Sequence, residues 1–160
     1  MDIGAFAMRW NLVGPGSANL TWGADDELLE LRTTYVGDGL RSLLRAALDL
    51  RNGSNASIAS LPTEPGAHVF LFGGAAEQVY VQILFLRDEY AADPWLGARR
   101  RWAGRIRVDD FVTATADMAQ AVLDQHGEAG YRRAWRDIPF PNRELARLQE
   151  PVASRPTPDE

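Results

Sequence analysis

Residues 37–53 read GDGLRSLLRAALDLRNG, and they interrupt a chain that otherwise alternates apolar and polar residues. Leu40, Leu43, Leu44, Ala47 and Leu48 recur at the spacing of one helical face, so the stretch is an amphipathic helix. Asp38 stands at the N-cap, where a carboxylate accepts from the first turn, and Gly53 stands where a left-handed residue closes a helix. The fold then depends on what lies on either side of this helix.

Before it lie three strands. Phe6, Met8, Trp10 and Leu12 alternate with Ala7, Arg9, Asn11 and Val13, the period-two pattern of a half-buried strand. Residues 14–17, GPGS, turn the chain, and a second strand follows with Leu20 and Trp22 on one face and Asn19 and Thr21 on the other. Ala24, Asp25 and Asp26 make the next turn, before a third strand with Leu29, Leu31 and Tyr35 inward and Glu30, Arg32 and Thr34 outward. Three strands joined by short turns read as an antiparallel meander.

After the helix the sheet resumes. ASIASL is a weak strand, PTEPG a turn, and HVFLF with EQVYVQILFLRD a hairpin about Gly73 and Gly74. Val79, Val81, Ile83 and Phe85 share one face of the second hairpin strand, and Gln78, Tyr80 and Gln82 the other, which turns apolar at Leu84 and Leu86. A loop from Asp88 to Ala98 leads into RWAGRIRV, with Trp102, Ile106 and Val108 inward and Arg101, Ala103, Arg105 and Arg107 outward. DDFVTATADMAQAVLDQHG predicts a second helix capped by Asp109 or Asp110, with Phe111, Ala114, Met118 and Val122 on its buried stripe. Short helices over EAGYRRAW and NRELARL finish the chain. The expectation is one α+β domain over residues 1–149. It is a mostly antiparallel sheet of six or seven strands, with two main helices and short C-terminal helices packed on one face. The proline-rich residues 150–160 form a disordered tail.

Composition sets limits on function. The chain has 160 residues, 46% of them hydrophobic and 24% charged, as in an ordinary globular domain. A net charge of −5 has the wrong sign for non-specific nucleic-acid binding, and no apolar run suits a membrane span. Absence of a signal-peptide pattern at the N-terminus implies a cytoplasmic protein. All 17 basic residues are arginine, a side chain whose planar fork suits carboxylates; the excess also fits a bias towards GC-rich codons.

The chemistry-bearing residues are sparse. There is no cysteine, no G-x-S-x-G elbow and no phosphate-cradling glycine loop before a helix. His68 reads as an ordinary strand residue, and His126 as a helix C-terminal residue suited to the dipole. No catalytic residues, cofactor or metal ligands are assigned. If helices cover one face of a single sheet, the open face gathers Arg9, Arg32, Arg101, Arg105 and Arg107 with Tyr80 and a single glutamate, Glu30. Arginine and tyrosine are favoured anchors at protein interfaces. The same row also fits a solvated face of cross-strand charge pairs. The Asp88–Ala98 loop adds Tyr90 and Trp95. This points to a protein partner with an acidic surface, of immunity or regulatory type, for a monomer or weak homodimer. The alternative is a small-molecule-binding or minor enzymatic domain with a pocket lined by Trp10, Trp22, Trp102 and Tyr35.

WNLVGPG (10–16), TYVGDGLRSLLRAA (34–47), EPG (64–66) and GYRRAWRDIPFP (130–141) give the chain a family likeness. It resembles uncharacterised one-domain proteins of Streptomyces-type actinobacteria, to which no activity is assigned. The resemblance implies a standalone cytoplasmic domain and transfers no catalytic residue. In GYRRAWRDIPFP, Tyr131 and Trp135 stand four apart on one helical face, and Pro139 and Pro141 hold Phe140 in an extended turn. That segment reads as a clasp pinning the C-terminal helices to the sheet.

Overall fold

The computed structural model describes residues 6–151, so most of the expected tail, residues 152–160, lies outside the described residues. The first meander is β1 (Phe6–Leu12), β2 (Ser17–Ala24) and β3 (Glu27–Thr34). Helix α1 (Gly39–Arg51) follows, with the Asp38 carboxylate accepting from the Arg41 amide at 3.2 Å. A second meander runs through β4 (Ser57–Pro62), β5 (Ala67–Gly73), β6 (Gln78–Leu86) and β7 (Arg99–Arg107). Helices α2 (Val108–Ala134) and α3 (Asn142–Gln149) complete the chain.

The α+β class, the antiparallel pairing and the seven strands agree with the sequence, but the single sheet does not. The strands form two sheets, β1-β2-β3 and β4-β5-β6-β7, with no ladder joining them. The reason is α1. It occupies the chain between β3 and β4 and packs chiefly along β4, so β4 begins a new sheet instead of extending the first. Nor do the helices gather on one sheet face. Helix α2 lies along β1, and α3 packs on α1 and α2.

Each sheet has an apolar inner side, and the two inner sides share one core. Leu20 and Trp22 of β2, Leu31 of β3, Phe70 and Phe72 of β5, and Val79, Val81 and Ile83 of β6 are all buried in it. Trp22 sits where the sheets meet, with ring centroids 5.5 Å from Phe70 and 5.3 Å from Trp102. Two side chains also bridge the sheets. The Thr33 hydroxyl donates to the Pro62 carbonyl at 2.8 Å, and His68 Nδ1 lies 3.2 Å from the Arg32 carbonyl.

Helix α2 departs from expectation at both ends. Its N-cap is Arg107, with Asp109 and Asp110 in the first turn, where carboxylates suit the positive end of the dipole. The break at Gly127 is a kink inside one helix, with φ 67° and ψ 170°, so EAGYRRAW is not a separate helix. The buried stripe is Phe111, Thr115, Met118, Ala119 and Val122; Ala114 is only half-buried. Thr115 takes the inner position because its hydroxyl donates back to the Phe111 carbonyl at 2.7 Å.

Beyond the kink the clasp forms as its spacing implies. Tyr131 and Trp135 stack at 6.2 Å, Phe140 meets Tyr131 edge-on at 5.4 Å, and Trp135 meets Trp10 of β1 at 5.9 Å. Trp135 Nε1 reaches the Gly37 carbonyl at 3.4 Å, and Gly16 donates to the Ala134 carbonyl at 2.6 Å. Tyr131 and Trp135 are fully buried, so truncation leaves a large cavity. Trp135→Ala should destabilise the domain by about 3–5 kcal/mol, and urea unfolding with intrinsic fluorescence measures it. A loss below about 1 kcal/mol would reduce the clasp to a loosely attached tail.

Candidate partner-binding surface

The two-sheet architecture divides the arginines that a single open face would have gathered. Arg9 and Arg32 are exposed on the outer face of the first sheet, where Arg32 Nε donates to Ser17 Oγ at 3.2 Å. Tyr80, Arg105 and Arg107 lie on the outer face of the second sheet. Tyr80 and Arg105 are cross-strand partners, with the guanidinium 5.8 Å from the ring centroid. Arg107 makes a 3.9 Å ion pair with Glu77, both side chains well exposed. Because the inner faces share a core, the two outer faces point away from each other, and no single surface holds all five arginines.

Arg101 belongs to neither outer face. The β6–β7 register slips by one residue between Ile83 and Leu84, so Ile83 pairs with Trp102 and Leu84 with Arg100. Arg101 is the extra residue of this bulge, and the bulge turns its side chain inwards. Its Nη1 lies 3.5 Å from His68 Nε2, so the expected outward placement is corrected. A period-two pattern continued through the bulge puts the wrong residue outside.

His68 is more than an ordinary strand residue. Only 4% exposed, it packs against Phe85 at 5.1 Å. Its Nδ1–H donates to the Arg32 carbonyl while Nε2 faces the Arg101 guanidinium, the arrangement of a neutral ring. Burial, reinforced by the Arg101 charge, lowers its pKa from the usual histidine value to about 4. The folded state therefore binds fewer protons here than the unfolded chain between the two pKa values. The stability this neutral ring contributes is complete above about pH 6.5 and is lost as the pH falls towards 4. His68→Gln should flatten the dependence of unfolding free energy on pH across that window. An unchanged slope would place the acid sensitivity elsewhere.

The Asp88–Ala98 loop is placed as a surface element. Glu89 Oε2 accepts from the Gly66 amide at 2.7 Å, tying the loop to the β4–β5 turn. The Asp88 and Asp93 carboxylates accept from the Tyr90 and Trp95 amides at 3.0 and 3.2 Å, forming two local turns. These turns present Tyr90 at 85%, Leu96 at 81% and Trp95 at 46% exposure. The loop adjoins a second apolar feature, of which the sequence reading saw only the Leu84 and Leu86 side on β6. On the outer face of the second sheet Ala67, Val69 and Leu86 form a satellite cluster with Leu71 and Ala98, and Ile58, paired with Leu71, is 57% exposed. The signal was the unbroken apolar run of HVFLF, which marks a strand apolar on both faces.

The aromatic pocket does not form as drawn. Trp10 packs on Trp135 and Trp22 on Trp102, ring to ring. Tyr35, expected inward, is 41% exposed beneath Arg136, whose guanidinium lies 5.2 Å from the ring. Trp102 instead borders a cleft of about 580 Å³ between β7 and the β2–β3 turn, walled by Asp26, Glu27, Gln78, Gly104 and Arg105. Among the described residues, no group of three or more histidine and carboxylate side chains is placed to hold a metal ion. Among them, too, no helix is long and apolar enough to cross a membrane. The chain matches no family model, no curated protein and no solved structure.

Proposed function

We propose that this chain is a non-enzymatic protein-binding domain, an immunity-type or regulatory partner of a protein with an acidic surface. The observation that carries the reading is the Asp88–Ala98 loop, which holds Tyr90, Trp95 and Leu96 in water although its own hydrogen bonds fix its shape. A preformed loop with exposed aromatics loses little conformational entropy on binding. Arg87, Arg99 and Arg100 flank it and are exposed. An apolar centre within a charged rim is the usual anatomy of an interface. Tyr80, Arg105 and Arg107 lie on the outer face of the same sheet, at the opposite end of the β6–β7 hairpin from the loop. Arg9 and Arg32 lie outside it, on the far sheet.

The test is binding of this chain, by calorimetry, to each protein encoded by a gene adjacent to its own. A Trp95→Ala, Leu96→Ser variant should lose roughly 2–3 kcal/mol of affinity, as a truncated hot spot does. An Arg9→Ala, Arg32→Ala variant should bind within about threefold of the parent. Loss of binding in the second variant and not the first would move the interface to the other sheet. Binding to none of these proteins would remove the neighbouring-gene version of the reading.

A further inference from the structure

The four sheet edges differ in what covers them. Helix α1 runs along β4, α2 runs along β1, and β3 faces β4 and β5. Strand β7 pairs with β6 on one side. On its other side, among the described residues, no element runs along it beyond the start of α2, into which it leads. An open strand edge is a template for another strand.

The register tells which groups that edge offers. The Val108 amide donates to the Glu77 carbonyl at 3.0 Å, so these two residues form a hydrogen-bonded pair. Such pairs alternate along an antiparallel ladder, so Ile106 and Gly104 bond to β6. The main-chain groups of Ala103 and Arg105 and the amide of Arg107 then turn to the open side, while the Arg107 carbonyl belongs to the start of α2. The side chains of Arg105 and Arg107 leave the strand on the outer face, beside Tyr80 and Gln78. On the inner face, Trp102 and Gly104 border the cleft of about 580 Å³, whose opposite wall carries Asp26 and Glu27 of the β2–β3 turn. A Cβ on Gly104 would lie 2.8 Å from the Trp102 ring, so glycine is what lets the indole rest against the strand there.

We propose that β7 is the docking edge for an extended segment of another protein, whose side chains alternate between carboxylates facing Arg105 and Arg107 and apolar groups facing the Trp102 ring. This rests on the protein-binding reading above and names the element and the partner chemistry. Addition of a strand to a sheet edge takes affinity from main-chain hydrogen bonds and specificity from alternate side chains. A second copy of the chain is the natural competitor for the same edge, and the arginines oppose the registers centred on them. Pairing β7 with itself about Arg105 sets that residue against its own copy. Pairing about Ile106 sets Arg105 against Arg107, both on the outer face. Like charges directly opposite one another destabilise a sheet.

The probe is a synthetic peptide of about nine residues, the length of β7, alternating glutamate and valine. Its counterpart alternates lysine and valine. Each is titrated against the full chain by fluorescence anisotropy, with amide exchange followed by NMR. The glutamate peptide should bind at least about tenfold tighter than the lysine peptide and weaken as salt is raised. It should slow exchange at Ala103, Arg105 and Arg107. Arg105→Gln with Arg107→Gln should erase the preference without lowering the unfolding temperature, and Ala103→Pro, which removes one outward N–H, should weaken binding. Equal affinity for the two peptides, or slowed exchange elsewhere, overturns the proposal. So does a dimer by light scattering whose β7 amides are protected without peptide, which assigns the edge to a second copy. If the Trp95/Leu96 variant loses a protein partner whose binding leaves the β7 amides unprotected, the binding reading stands and the strand-docking proposal falls.

Discussion

The arrangement of this domain depends on the packing around Trp22. Its ring lies within 4.8–6.3 Å of Phe6, Phe70, Trp102 and Phe111, which come from β1, from β5 and β7 of the second sheet and from α2. No hydrogen-bonded ladder runs from one sheet to the other, so their relative placement is a matter of side-chain shape. Among the described residues no acceptor reaches Trp22 Nε1, and the ring contributes through apolar contact alone. The aromatic contacts extend from this point through Phe111 to Phe72. The remaining polar ties between the sheets, from Thr33 and His68, lie at the end of the interface near Pro62 and Arg32.

The elements themselves were legible in the sequence. The Leu40–Leu48 spacing and its Asp38 cap mark α1, and the Trp10, Leu20 and Trp22 alternation gives the inner faces of β1 and β2 correctly. The assembly was not legible. Period-two patterning reports which face of a strand is buried and says nothing about which strand lies beside it, so two meanders flanking a helix read as one sheet. That error created the common arginine face. Arg101 was misplaced by a one-residue bulge, which composition does not announce. Loop exposure was readable, since Tyr90 and Trp95 sit between turn-forming aspartates. The apolar outer face of β5 was hidden inside a run whose second apolar row was not assigned a side.

The division of arginines between the sheets gives the molecule two different exteriors. The outer face of the first sheet carries Arg9, Asn11, Thr21, Glu30 and Arg32, a mixed row that water can solvate fully. The outer face of the second grades from an apolar strip at Ile58 and Leu71 to the arginines of β7. Away from these faces, charge serves the helices. Arg41 Nε lies 3.4 Å from Asp38 and 3.6 Å from Glu144, close enough for ion pairing across α1 and α3 but poorly aligned for hydrogen bonds. The Arg51 guanidinium donates to the Arg147 and Glu150 carbonyls and so satisfies the end of α3.

The clasp also bears on how the chain acquires its structure during synthesis. Trp10 and Gly16 belong to the first hairpin made, yet their partners, Trp135 and the Ala134 carbonyl, are among the last groups of the domain to emerge. The first meander can curl into its hairpins early, from contacts between neighbours in sequence. Its inner face stays wet until the second sheet, α2 and the Tyr131–Phe140 turn have all left the ribosome. A nascent chain halted before Gly130 would expose Trp10 and the inner row of β1 together, a sticky strand with nothing to cover it. For this domain, closure of the core waits on the emergence of the Tyr131–Phe140 segment.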